Sequence, residues 1–303
     1  MAEAGVAKTT LKTRKQQFKR YRKFCESYNL MPYPCSASQA SLYATYLSDK
    51  MKPVSVRSYL SAVWFFQKLE AQPDFSSNYL FKKTLDGIER LYNVEPVSKY
   101  PLSTVDLMNI YALLDMSIEI DRIFWCSIVV AFRAVLRICH VVESVHSIKV
   151  KDIEICEKYV KIHISSSKTD QYGRHPYDIF LHRSDGSPLC PALLLAELIS
   201  GASKNSKVFM VHNGSKKMTQ KYSYVNSKIK SLSIMLGLPV HNISTHSLRH
   251  GGATFLKNLG MSVPDIMRRS NWRSNAVYKY LHDSSQELLN LDNLPNNYLS
   301  NLL

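Results

Sequence analysis

Thr245-His246-Ser247-Leu248-Arg249-His250-Gly251-Gly252-Ala253-Thr254 is the most informative stretch of this 303-residue chain. Its spacing predicts a helix over 246–260. On a helix, positions i and i+3 lie about 60° apart, so His246 and Arg249 present both side chains to one spot. An imidazole that can move a proton beside a guanidinium fork suits a phosphodiester. Taken alone, an H-x-x-R pair reads better as a solvated helix face.

The whole chain favours the phosphodiester. Lys and Arg outnumber Asp and Glu by 39 to 24, a formal net charge of +15. A surplus of that size points to a polyanionic partner, nucleic acid before an anionic membrane. The longest apolar run, Ile123 to Phe132, is about half of what a membrane span needs, and Arg133 and Arg137 follow it. Lys8 and Lys12 interrupt the N-terminus before the apolar core of a secretory signal could form. The six cysteines show no C-x-x-C spacing. This argues against a zinc site or a disulfide framework and for reduced thiols inside a cell.

At this length two domains are expected. Residues 8–23 carry Lys8, Lys12, Arg14, Lys15, Lys19, Arg20, Arg22 and Lys23 and no acidic residue, while Leu11, Phe18, Tyr21, Cys25 and Tyr28 recur at helical spacing. That is an amphipathic helix with a positive outer face. Further helices are predicted after Ser36 or Ser38, from about Ser55, and over Asn78–Tyr92, giving a helical module over 1–95. The proline-bearing stretch Val94–Ser103 supplies a linker over 96–103. The second domain, 104–303, opens with helices over Thr104–Met116 and Ile120–Val145. Val160, Ile162 and Ile164 then alternate with Lys161 and His163, predicting about three short antiparallel strands between 147 and 181. Helices resume at about 190–200, 220–236, 246–260, 262–270 and 274–282. The fold class is mainly α with one small antiparallel sheet.

The order of motifs resembles the tyrosine recombinase, or phage integrase, family. Its catalytic domain carries an H-x-L-R-H motif in this helical setting, matched by His246 and Arg249. Its first catalytic arginine lies upstream in an apolar helix within a G-L-R-x-x-E-like stretch; here Val135-Leu136-Arg137-Ile138-Cys139-His140 points to Arg137, with Arg133 one turn earlier as the rival. Its catalytic lysine sits in a β-turn, matched by Lys168 in Ser167-Lys168-Thr169-Asp170. A later His or Trp corresponds to Trp272. The nucleophilic tyrosine corresponds to Tyr280, eight residues after Trp272. Tyr278, two residues earlier, is assigned to the packing face. The wording around Trp272–Leu281 is similar to recombinases of eukaryotic DIRS-like or Crypton-like mobile elements. The chain departs from the pattern at His140, where the family is usually acidic, and at Val135, where it has glycine.

The resemblance implies a SAM-like helical core-binding domain and a catalytic domain that close on DNA as a C-clamp. The first would contact the backbone through Lys12, Lys15, Lys19, Arg22 and Arg57. Tyr280 would form a 3′-phosphotyrosyl bond, with His246 as base, Lys168 as acid, and Arg137, Arg249 and Trp272 holding the phosphate. No cofactor or metal is implied. The partners would be double-stranded DNA, a second copy on each site and a tetramer in the synapse. The location would be intracellular, and nuclear in a eukaryotic host. Two other readings share the fold: a type IB topoisomerase-like relaxase, and a domesticated DNA-binding protein without activity.

Overall fold

The structure is a computed structural model and describes residues 2–93, 98–167, 170, 172–184, 186–213, 216–272, 277–278 and 281. The chain divides into two compact units, Met1–Pro96 and Val97–Leu303.

Among the described residues the first unit is built on α-helices α1 (Lys8–Ser27), α2 (Ala37–Ser48), α3 (Pro53–Leu69) and α4 (Tyr79–Tyr92). The Ser36 hydroxyl accepts the Gln39 N–H at the start of α2, Asn78 caps α4 in the same way, and Pro53 opens α3 where its missing N–H costs nothing. The apolar stripes meet around Tyr21, Phe24, Tyr43, Leu47, Val56, Leu60 and Val63. Gln67 is fully buried among them, and its amide pairs with both backbone groups of Cys35, accepting the N–H at 2.7 Å and donating to the carbonyl at 3.0 Å.

In the second unit, part of the segment expected as linker is built into the domain. Tyr100 and Leu102 donate their N–H groups to the Asn242 and Ser247 carbonyls, and Leu102 is fully buried. A Ser103–Asp106 capping box then starts α5 (Thr104–Ala112). The next helix, α6 (Glu119–Arg133), is buried without interruption from Ile123 to Phe132 and forms the core of the unit.

This helix stops well short of Val145. Val135 takes a left-handed φ of +50°, and the Leu136 N–H closes back on the Ala131 carbonyl at 2.9 Å. This turn ends the helix as a glycine cap would. Arg137 therefore lies in extended backbone beyond the helix, and a short 3-10 turn, Ile138–His140, follows it.

The expected meander is present: β1 (Ile153–Ile155), β2 (Tyr159–Ile164) and β3 (Tyr177–His182) pair antiparallel in that order. Val160, Ile162 and Ile164 point to the core, as their alternation predicts. After α7 (Pro191–Ile199) comes an unpredicted hairpin of β4 (Met210–Asn213) and β5 (Lys216–Thr219), for which Asn213-Gly214 is the available turn signal. Three helices close the described part: α8 (Tyr222–Met235), α9 (His246–Asn258) and α10 (Val263–Ser270). The helix expected over 274–282 falls mostly outside the described residues.

The two glycines of the motif explain how α9 reaches its place. A Cβ on Gly251 would stand 1.8 Å from the Leu102 carbonyl oxygen, and one on Gly252 would stand 2.1 Å from that of Phe132. Only glycine lets α9 lie directly on the backbone of α6 and of the segment leading into α5.

Candidate active site

Arg249 lies one turn into α9 and is only 2% exposed. One end of its guanidinium donates to the Val135 carbonyl at 2.6 Å and the other to the Ser270 carbonyl at 3.0 Å. Its charge is centred 4.2 Å over the Trp272 ring. The side chain thus ties the turn after α6 to the end of α10.

The left-handed turn at Val135 places Arg137 beside this group. Arg137 precedes the 3-10 turn Ile138–His140 in extended backbone, and the His140 N–H donates to the Arg137 carbonyl at 3.0 Å. His140 is buried, and its Nδ1 lies 3.1 Å from the His146 carbonyl. That contact defines the imidazole as an Nδ1–H donor. Burial pushes the pKa of His140 down to about 4, and the neighbouring His146, Arg137 and Arg249 push in the same direction. The ring is therefore neutral at physiological pH.

Tyr177, at the start of β3, also meets both arginines: burial raises its phenol, and Arg249 and then Arg137 oppose the rise. Arg137, Arg249, His140 and Tyr177 thus share one electrostatic neighbourhood. Sequence alone assigns no role to Tyr177. As one aromatic in an alternating strand, it carries no signal that distinguishes it from core.

His246 is the first residue of α9 and is exposed, one turn from the buried Arg249. Lys168 and Tyr280 lie outside the described residues. Next to Lys168 in sequence, Ser167 and Asp170 exchange both backbone hydrogen bonds, at 3.0 and 2.9 Å. The Asp170 carboxylate accepts the N–H groups of Arg174 and His175. His146 lies 2.8 Å from the Ser166 hydroxyl, linking the loop after Arg137 to this turn.

The expected packing of Tyr278 is corrected. Val277 is fully buried against Trp272, Ala253 and Leu256, while Tyr278 is 60% exposed. The β-branched residue fills the apolar cluster and turns its aromatic neighbour outward.

In the first unit, the cations of α1 divide. Arg14 lies 4.3 Å over the Phe65 ring and Arg20 lies 5.5 Å over Tyr59, both folded back onto α3. Lys12, Lys15, Lys19 and Arg22 remain exposed at spacings that share one helix face. Lys15 also pairs with Glu3 at 2.8 Å. Arg57 is held by Glu89 at 3.1 Å, so it is tied to α4 as well as exposed.

Among the described residues no cluster of three His, Cys, Asp or Glu side chains could hold a metal ion, and no helix is long and apolar enough to cross a membrane.

The model of the phage integrase family matches residues 107–287, more than half of the chain. The chain belongs to the phage integrase family. It is accordingly a tyrosine-type recombinase, an enzyme that cleaves and rejoins DNA.

Solved structures of the same fold include a lambda integrase dimer bound to a COC' core site, with a TM-score of 0.63 and 14% identity over 94% of this chain and 74% of that one. The Tn1549 transposon integrase in complex with transposon right end DNA gives 0.61 and 13% over 92% and 93%. The XerH site-specific recombinase bound to difH gives 0.56 and 15% over 86% and 70%. At such identities the likeness is one of fold. No curated protein sequence is matched.

Proposed function

We propose that this integrase-family chain is a site-specific recombinase with Tyr280 as the nucleophile and Arg137, Lys168, His246, Arg249 and Trp272 as its catalytic partners. The electrostatic influence of both Arg137 and Arg249 on His140 and Tyr177, with His246 one turn from Arg249, supports this reading. The Tyr280 oxygen attacks the scissile phosphorus, and the P–O bond to the 5′ oxygen breaks. The products are a 3′-phosphotyrosyl ester and a free 5′-hydroxyl. A phenol with an ordinary pKa near 10 needs a base, and His246, exposed at the start of its helix, takes that proton. Lys168 returns a proton to the departing 5′ oxygen. The negative charge that builds on the phosphate oxygens is met by the two guanidiniums. Attack by the 5′-hydroxyl of another strand reverses the step, so the bond energy is kept and no nucleotide cofactor is called for.

Lys12, Lys15, Lys19, Arg22 and Arg57 bind the DNA backbone. Two copies occupy each site and four form the synapse, inside the cell and in the nucleus of a eukaryotic host. The test is adduct formation on a nicked suicide substrate. Wild type should yield a covalent protein–DNA species whose modified peptide contains Tyr280. Tyr280→Phe should bind DNA and form none, while Tyr278→Phe should keep most activity. An adduct that survives Tyr280→Phe and disappears with Tyr278→Phe moves the nucleophile by two residues.

A further inference from the structure

Arg249 holds the carbonyls of Val135 and Ser270 on one guanidinium, so the last turns of α6 and α10 lie side by side. Each brings a second arginine: Arg133 two residues before Val135, and Arg269 immediately before Ser270. Both are half-buried. Arg133 stacks 5.1 Å from the Phe255 ring, which itself lies 5.6 Å from Phe132. The Nε of Arg269 is sealed from solvent and meets no acceptor among the described residues.

No carboxylate is paired with either guanidinium among the described residues. Other arginines of the molecule do have acids: Arg57 has Glu89, Arg122 has Glu197 and Arg268 has Asp265. Burial lowers the pKa of both Arg133 and Arg269, and Arg133 lowers that of Arg269 further, so the two charges feel each other. A helix C-terminus accommodates one cation through its dipole. Two cations driven together beside an aromatic ring, with no acid among the described residues, make an arrangement that is unfavourable until an anion arrives. Arginine forks match the oxygens of a phosphate bidentately.

We propose that Arg133 and Arg269 form a second oxyanion site, distinct from the Arg137–Arg249 pair, which a non-scissile phosphate of the DNA backbone fills. This rests on the recombinase reading given above, and the site acts as a clamp behind the reacting phosphate. The substrate itself supplies the charge that completes it.

The test uses the full chain, wild type and the double variant Arg133→Leu/Arg269→Leu. Inorganic phosphate, compared with chloride at equal ionic strength, should raise the melting temperature of wild type and leave the variant unmoved. In chloride alone the variant should be no less stable than wild type. On duplex DNA the variant should lower the slope of log K against log salt by about 0.9, the value of one phosphate contact. An unchanged slope, or phosphate stabilisation that survives in the variant, overturns the proposal. So does an unchanged slope with loss of self-association, which would assign the pair to a carboxylate of a second copy. If the double variant does not fold, Arg269→Gln alone is measured; should that also fail, the pair is structural and the proposal falls. Failure of the recombinase reading would show instead in wild type, as no covalent adduct.

Discussion

His140 has a measurable consequence at the scale of one residue. Its pKa falls from an ordinary 6.5 to about 4 on folding, chiefly through burial. Between those values the unfolded chain binds the proton that the folded chain refuses, so stability rises with pH across that window. The contribution is fully present above pH 6.5, is lost as pH falls towards 4, and reaches about 3 kcal/mol at 1.4 kcal/mol per pKa unit. Urea unfolding of wild type should therefore weaken steeply from pH 6.5 to 4, and His140→Asn should flatten that dependence. Equal slopes for the two proteins would show that the acid sensitivity lies elsewhere. Gln67 makes a second case. Gln67→Leu strands the buried Cys35 N–H and carbonyl and should cost about 1–3 kcal/mol in thermal or urea unfolding. Full stability would mean that the loop before α2 finds other partners.

At the scale of elements, two glycines in helices have opposite expectations. Gly252→Ala drives a Cβ into the Phe132 carbonyl, so α6 and α9 must part. A loss near 3 kcal/mol is expected, the upper end for overpacking. Gly87 lies inside α4, and a methyl group added there would meet nothing within 4 Å. Gly87→Ala should therefore stabilise by about 0.5–1 kcal/mol through helix propensity. Melting temperatures moving in the same direction would refute the packing argument.

The same scale shows what was legible in the sequence. The strands are readable because Val160, Ile162 and Ile164 alternate with polar residues, and α2 because a serine able to cap it precedes it. The end of α6 is hidden: Ile138, Val141 and Val142 continue the apolar pattern, and Val135 occupies a left-handed turn that glycine would have announced. The motif singles out Arg137 from its neighbours but sets it on a helix, where the chain is in fact extended. Its approach to Arg249 arises from chain reversal, which no local pattern encodes.

For the whole molecule, the basic surplus is what the sequence states most plainly, and the structure sorts it. Arg14 and Arg20 cover aromatic rings of α3, while Lys12, Lys15, Lys19 and Arg22 stay on one open face. Neutralising these four together should weaken DNA binding on all sequences alike. For every phosphate that the variant no longer neutralises, the slope of log K against log salt should fall by about 0.9. An unchanged slope would mean that this face of α1 meets only solvent. The relation between the two units is not legible in the same way, because no periodicity crosses the boundary between them.

The two carbonyls held by Arg249 give this residue a double allegiance with an evolutionary edge. A lineage that gave up DNA cleavage would no longer need a group whose sole task is to react with DNA. It could not discard Arg249 so cheaply, because the turn after α6 and the end of α10 would lose their shared fastener. Retention of this arginine in a descendant is therefore weak testimony that the descendant still cuts DNA. The more telling witnesses of lost activity are residues that the fold can spare.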